Sequence, residues 1–265
     1  MANLLSIGVY PPIFHKFREK GVYVLRFSKN HKWRYVIIDD RLPVYSGNKS
    51  LVFGRCKSDD ELWVPLIEKA YAKLHGCYQT LVSGFIDDGL ADMTAMVCEK
   101  RHLHDRRGMF NLEADGFWDY LEQMKQNGCL MGCSVTGGTE HAIRIDGVDT
   151  GVLSGHAYSL NDAFRLHNPE QVKRQYHRLL RIRNPWGRGE WKGKWSDMSD
   201  EIDDEKIKGM LERDYIAEMP EDEQFTIGAN DGTFFINYAS WRDIYNRLFV
   251  VNDFPDDWSA VYFDT

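Results

Sequence analysis

The chain has 265 residues, of which 43% are hydrophobic and 28% charged, enough to bury the core of one large domain or two small lobes. Its formal net charge of −7 excludes the basic surface that nucleic-acid binding needs, and it offers anionic membranes no attraction. No apolar run approaches the length of a membrane span, so we expect no direct membrane insertion, and the first residues lack the pattern of a signal peptide.

The first third of the chain predicts a β-hairpin followed by a helix. Residues 22–28 and 33–39 are rich in β-branched and aromatic side chains and flank a short polar turn. From Ser58 to Leu74 apolar residues recur at helical spacing, and Gly76 follows where a helix commonly ends. Ser58 and Glu61 have the spacing of a capping box at the start of this helix.

The rest of the chain predicts one more helix and then mostly strands. A helix over residues 117–124 leads into a buried strand at 129–134. Residues 197–223 are strongly acidic and predict a solvated insertion. The composition changes from helix-rich to strand-rich near residues 84–100, so we expect a first lobe at 1–84 and a second at 85–265. Strands are expected in five segments after residue 150, namely 156–160, 179–183, 233–238, 248–252 and 260–263.

The five cysteines show neither a disulfide framework nor a zinc-site spacing. No CxxC pair occurs, and an odd count leaves at least one thiol unpaired. We therefore expect free thiols and a cytoplasmic protein. The cysteines are Cys56, Cys77, Cys98, Cys129 and Cys133.

Two short motifs place polar side chains at the ends of predicted strands. His156 lies in GHAYS at 155–159, and Asn184 lies in RIRNPWG at 181–187. An asparagine oxygen that accepts from one imidazole nitrogen fixes the tautomer and leaves the other nitrogen to act as a base on a thiol. The alternative is a buried histidine bonded to a backbone carbonyl and an asparagine that starts a turn.

The order of five motifs resembles the catalytic core of the calpain cysteine proteases. This resemblance extends from about residue 20 to 252 and implies an α+β, papain-like fold with an incomplete helical lobe and a β-rich lobe. By the resemblance, His156 and Asn184 match the histidine and asparagine of a Cys-His-Asn triad and Trp186 the tryptophan beside them, while Gly84 and Gly155 match glycines that hold an extended substrate. The motifs span Glu68–Tyr78, Leu130–Ser134, Gly155–Ser159, Arg181–Gly187 and Glu190–Asp197.

The sequence departs from the family at the nucleophile. That cysteine lies in a segment like QGxxGDCW, before the hairpin, whereas the first cysteine here is Cys56. The opening residues Met1–Leu5 resemble the continuation of the nucleophile helix. Cys77 and Cys133 are interpreted as packing thiols. We expect a calcium-dependent endopeptidase core that acts on protein substrates, is inactive as written and can be flanked by regulatory domains; the alternative is a natural non-catalytic module that binds peptide or calcium.

The resemblance also implies calcium ligands. Glu190, Asp197, Asp231 and the carbonyl of Ala229 match a calcium site of the β-rich lobe, but Thr233 stands where the family commonly has glutamate, so we expect weaker binding. Glu61 matches a calcium ligand of the first lobe, although a helix cap also explains it. A solvated acidic loop without metal is the alternative for the second site. The histidines show no zinc-binding spacing.

Overall fold

The computed structural model describes residues 13–30, 32–56, 58, 61–103, 115–167, 176–220 and 224–252. Helices and strands are mixed throughout these ranges, which confirms the α+β class. The chain divides into two compact units, Met1–Cys98 with Val251–Thr265, and Glu99–Val250. The predictions for Met1–Leu5 and for a strand at 260–263 fall outside the described residues.

The first unit is built on a three-stranded antiparallel sheet. Strands β1 (Ile13–Phe17), β2 (Val22–Lys29) and β3 (Lys32–Asp39) pair in chain order, which confirms the predicted hairpin and adds one strand before it. Helix α1 (Trp63–His75) packs against this sheet. Their shared core contains Leu25, Phe27, Val36, Ile38, Leu66, Ile67 and Ala70.

The predicted capping box of α1 is wrong. The helix begins at Trp63, beyond Ser58 and Glu61, and its N-cap, Leu62, makes no side-chain cap hydrogen bond. Ser58 and Glu61 instead form a turn, in which the Glu61 amide donates to the Ser58 carbonyl at 3.2 Å. The predicted end is confirmed, since Gly76 follows the helix with φ of 109°.

Helix α2 (Ile86–Thr94) belongs to the first unit and was not predicted. Its buried Asp92 accepts hydrogen bonds from Lys29 and Tyr71, both at 2.9 Å. A boundary after residue 84 would separate Asp92 from these partners. The compact units divide after Cys98 instead.

The second unit is built on a six-stranded sheet of order β10-β9-β8-β5-β11-β4. Its helix α3 (Asp115–Gln126) and the strand after it confirm the prediction for residues 117–134. Trp118 and Leu121 of α3 are fully buried in the main core cluster with Tyr158 and Phe234. The strands are β4 (Val97–His102), β5 (Leu130–Ser134), β8 (Ala157–His167), β9 (Tyr176–Arg183), β10 (Thr233–Asn237) and β11 (Arg247–Asn252).

A two-stranded hairpin precedes the long strand β8. Strands β6 (His141–Ile145) and β7 (Val148–Ser154) are joined by Asp146 and Gly147, which have φ of 50° and 81°. Positive φ at both central residues defines a type I′ turn, for which Asp-Gly is a favoured sequence. This hairpin brings the chain before β6 back beside the end of β7.

The prediction of a solvated insertion at 197–223 is wrong for its described part. The segment folds into α4 (Asp200–Asp203), α5 (Glu205–Leu211) and a π-helical turn (Glu212–Ile216). Ile202, Leu211 and Ile216 are buried in a second cluster with Trp195 and Phe235. Most acidic residues of these short helices are exposed, so a high acidic content and a buried face coexist.

The last helix of the second unit, α6 (Tyr238–Ile244), connects β10 to β11. None of the helices in the described ranges is long and apolar enough to cross a membrane.

Candidate active site

His156 lies at the sharp turn between β7 and β8. Gly155 makes this turn with φ of 64°, which favours glycine, and its amide donates to the carbonyl of Val135 at 2.8 Å. His156, which follows, is 7% exposed as a whole residue. The turn therefore places His156 in a fixed position with almost no contact with water.

Asn184 follows β9 and holds one side of the imidazole. Its Oδ1 lies 2.9 Å from Nε2 of His156 and also accepts from the amide of Trp186 at 3.0 Å. Its Nδ2 donates to the carbonyl of Gly189 at 3.0 Å. Asn184 is 1% exposed, and because its side-chain oxygen and nitrogen both have partners, the amide cannot rotate without loss of hydrogen bonds.

Two aromatic rings surround the imidazole. Trp186 lies with its ring centroid 4.5 Å from that of His156, and Tyr158 meets the ring edge-on at 5.0 Å. Trp186 is 53% exposed, so it covers the histidine on one face while its own outer face meets solvent. The structure thus brings His156, Asn184 and Trp186 together.

Glu140 contacts the other imidazole nitrogen, and the sequence analysis missed it. Its Oε1 lies 2.8 Å from Nδ1 of His156. The β6–β7 hairpin explains this contact, because His141 pairs with Ser154 and places residue 140 beside the turn at Gly155. The Asp146-Gly147 turn was the available signal for the hairpin, but nothing in the sequence indicates which side chain points at the histidine.

None of the five cysteines, all of which lie in the described ranges, forms a disulfide bond, and Cys133 and Cys77 differ most in burial. Cys133 is fully buried on β5, and burial raises the pKa of its thiol to about 12. Cys77 is exposed directly after Gly76 in the first unit, so its interpretation as a packing thiol is wrong. Within the second unit, the imidazole nitrogens of His156 contact Glu140 and Asn184, so Cys133 is not a hydrogen-bond partner of this ring.

The two glycines expected to hold substrate lie in different compact units. Gly84 is exposed in the loop before α2, and a Cβ added there would meet no atom within 4 Å. Gly155 is exposed as well, with its amide already donated to Val135. Their substrate role stays a prediction.

The predicted calcium ligands of the second unit lie on neighbouring loops. Burial raises the pKa of Glu190 and of Asp197, and the charge of Asp231 raises both further. Each carboxylate accepts from a loop amide: Glu190 from Gly232, Asp197 from Gly228 and Asp231 from Thr233. The loops therefore hold three negative charges close enough to repel one another.

These groups fit a cation only in part. Among the described residues, none donates a hydrogen bond to the buried Oδ1 of Asp197, as expected for an atom that a cation would satisfy. Within the described ranges, however, no three His, Cys, Asp or Glu side chains converge closely enough to hold a metal ion. The carbonyl of Ala229 accepts from the Asp231 amide at 2.7 Å, and Glu61, in the first unit, accepts from the indole of Trp63.

Comparison with known proteins places this chain in a family. Residues 7–252 match the calpain family cysteine protease domain. The calpain-type cysteine protease ADL1 of Oryza sativa subsp. japonica is 30% identical over 97% of this chain and 10% of its own length. A calpain of Schistosoma mansoni is 32% identical over 94% of this chain, and the calpain-2 catalytic subunit of Rattus norvegicus 30% over 92%.

The chain spans only part of these relatives, about a tenth of the plant protein and about a third of the two animal proteins. The matched residues nevertheless include the turn with His156 and the segment with Asn184. They also include the described helices and strands of both compact units. By this match, the chain belongs to the calpain family of cysteine proteases.

Proposed function

We propose that the second unit supplies the general base and its orienting amide for a Cys-His-Asn endopeptidase. The observation that carries this proposal is the buried hydrogen bond between Nε2 of His156 and Oδ1 of Asn184. Because the amide oxygen can only accept, it keeps the proton on Nε2 and leaves the lone pair on Nδ1. A base needs this lone pair in order to remove a thiol proton.

The reaction then follows from the chemistry of a thiol and an imidazole. Nδ1 of His156 takes the proton of a cysteine thiol, and the thiolate attacks the carbonyl carbon of a peptide bond. The same nitrogen gives that proton to the departing amine, which leaves an acyl-enzyme. Water, deprotonated by His156, hydrolyses the acyl-enzyme and regenerates the thiol. Asn184 holds the ring in place throughout, and Trp186 covers the hydrogen bond between them.

We infer that the thiol is not one of the five in this sequence. Cys133 is buried with a strongly raised pKa, and none of the five cysteines stands in a segment like QGxxGDCW. The 265-residue chain is therefore expected to be inactive by itself. A loss of nucleophile and oxyanion donors lowers rates by several orders of magnitude.

A second candidate function is peptide capture without cleavage. The contact between Glu140 and Nδ1 of His156 favours it, because a nitrogen that already has a partner does not need a thiol. In this alternative the domain binds extended segments of other proteins. The absence of a disulfide among the five described cysteines supports a reducing, cytoplasmic location for either function.

Calcium dependence is a further part of the proposal. A calcium ion bound by Glu190, Asp197 and Asp231 would offset their mutual repulsion and satisfy the buried Oδ1 of Asp197. The ion would supply positive charge that ties the loops together. Since Thr233 contributes no carboxylate, the affinity is expected to be weak.

Incubation of the purified 265-residue chain with casein and calcium, with new amino termini counted by mass spectrometry, tests this assignment. We expect no cleavage above that of a His156→Ala variant, and binding of labelled casein peptides would favour the capture function. Cleavage that disappears in His156→Ala and after alkylation with iodoacetamide would show that one of the five cysteines is the nucleophile.

A further inference from the structure

The contact between Glu140 and His156 occupies the nitrogen that the proposed base uses. Nδ1 of the imidazole lies 2.8 Å from Oε1 of Glu140, whereas Nε2 is bonded to Asn184. Both ring nitrogens of His156 therefore have partners within the second unit. No thiol can approach Nδ1 until the carboxylate of Glu140 moves.

The hydrogen bond to Glu140 also blocks the chemistry of Nδ1. Asn184 Oδ1 can only accept, so the proton of the neutral ring lies on Nε2, and Nδ1 is the position from which a thiol would be deprotonated. Glu140 fills that position, so Nδ1 cannot act on a thiol while the contact persists.

The backbone around Glu140 is anchored, so the side chain itself is the movable part. Thr136 donates from its amide and its hydroxyl to Asn246, both at 2.9 Å. At the other end of the loop, the carbonyl of Thr139 is contacted by His141 at 3.0 Å. The side chain of Glu140 is 43% exposed, in contrast to the 6% of His156. Rotation of the carboxylate into solvent therefore frees Nδ1 without rearrangement of the loop.

We propose that Glu140 is an inhibitory latch, a carboxylate that covers the base nitrogen of His156 until a thiol or a substrate displaces it. This inference rests on the function proposed above, because it assigns Glu140 a role in regulating the same site. Ion pairs with one half-exposed partner are weak, so displacement needs little competing interaction. Glu140 acts through His156 and takes no part in bond making or breaking.

The latch can be tested on the 265-residue chain through the reactivity of the imidazole. Diethyl pyrocarbonate reacts with an unprotonated imidazole nitrogen, and Nδ1 is the only one that Asn184 leaves available. We would measure carbethoxylation of His156 at pH 7 by peptide mass spectrometry in wild type and Glu140→Ala, with the exposed His102 as internal reference. Glu218→Gln removes an exposed carboxylate elsewhere in the unit and serves as the matched control.

We expect Glu140→Ala to raise the carbethoxylation rate of His156 about two- to fivefold, the factor that corresponds to the free energy of an exposed ion pair. The carbethoxylation rate of His102 and the urea unfolding midpoint should stay unchanged. Glu218→Gln should leave both histidine rates as in wild type. Equal rates at His156 in wild type and Glu140→Ala, including no reaction in either, would overturn the latch, because the carboxylate would then not be what covers Nδ1.

A separate assay distinguishes failure of the latch from failure of the proposed function. In the protein at the full length that its transcript encodes, Glu140→Ala should raise peptide-cleavage kcat/KM two- to fivefold. Cleavage that is present but unchanged by this substitution would refute the latch and leave the protease function intact. Faster carbethoxylation without cleavage in any variant would refute the protease function and leave the covering role of Glu140 intact.

Discussion

Asn184 and His156 are 28 positions apart in the chain, yet their side chains are joined by a buried hydrogen bond of 2.9 Å. Strands β8 and β9 explain the distance, because β8 leads away from His156 and the antiparallel β9 returns to Asn184. Both residues are less than 8% exposed. Water therefore competes little for this bond, and the orientation of the imidazole is set before any substrate binds.

Cys133 is predicted to be inert toward alkylation, whereas Cys77 is reactive. Burial raises the pKa of Cys133 to about 12, so at pH 8 only a very small fraction is thiolate, while Cys77 is exposed. Iodoacetamide should modify Cys133 at least ~10³-fold more slowly than Cys77, as measured by peptide mass spectrometry on the folded chain. Comparable rates at the two cysteines would contradict the buried assignment of Cys133.

Leu211 is predicted to contribute to stability although it lies in an acidic segment. Its side chain is fully buried in the second core cluster, so Leu211→Ala should lower the free energy of unfolding by about 2–4 kcal/mol. Met198, which is 87% exposed, is the control. Met198→Ala should change the free energy of unfolding by less than about 0.5 kcal/mol. Urea titration measures both values. A loss below 1 kcal/mol for Leu211→Ala would restore the interpretation of a solvated insertion.

Calcium is predicted to stabilise the second unit through Asp197. Binding to the native state raises the unfolding temperature by mass action, and a weak site should give a shift of about 2–5 °C at 10 mM calcium. Asp197→Asn should abolish this shift. Asp146→Asn should not, because Asn-Gly suits the exposed type I′ turn equally well. A wild-type unfolding temperature that is the same with calcium and with magnesium would contradict the proposed site.

His177 is predicted to make stability fall in mild acid. Burial lowers the pKa of His177, whose ring packs 4.6 Å from Trp195, and Glu201 offsets part of this effect. The folded state therefore disfavours the charged ring, while the unfolded chain takes up the proton near pH 6.5. This contribution to stability is complete above pH 6.5 and is lost as the pH falls through that value.

The variant His177→Gln isolates this contribution. Between pH 7.5 and 5.5, urea titration should show a smaller loss of unfolding free energy for His177→Gln than for wild type. An equal loss in both proteins would mean that other groups cause the pH dependence.

Elements with strong periodicity could be predicted from the sequence. The hairpin at 22–39 and helices α1 and α3 have regular apolar spacing, and the structure contains all three. Helix α2 was missed because Asp87, Asp88 and Gly89 interrupt its apolar pattern, and its place depends on tertiary contacts of Asp92. Local propensity cannot anticipate a helix whose place depends on a partly buried ion pair between Asp92 and Lys29.

The functional site was predictable only where a motif carried it. His156 and Asn184 stand in recognisable strings, and the strand pairing brings them together. Glu140 stands in no such string. Its position depends on the β6–β7 register, and a shift of one residue in that register would turn its side chain to the other face.

Peptide cleavage by the protein at the full length that its transcript encodes tests the central claim most directly. His156→Ala should reduce kcat/KM by ~10²–10⁴-fold, which is the typical rate contribution of a general base. Asn184→Ala should reduce it by a smaller factor, and Glu218→Gln should retain wild-type activity. Folded His156→Ala protein that cleaves peptides as fast as wild type would contradict the assignment of the base. A wild-type protein without activity would contradict the protease function and leave peptide capture as the account to test.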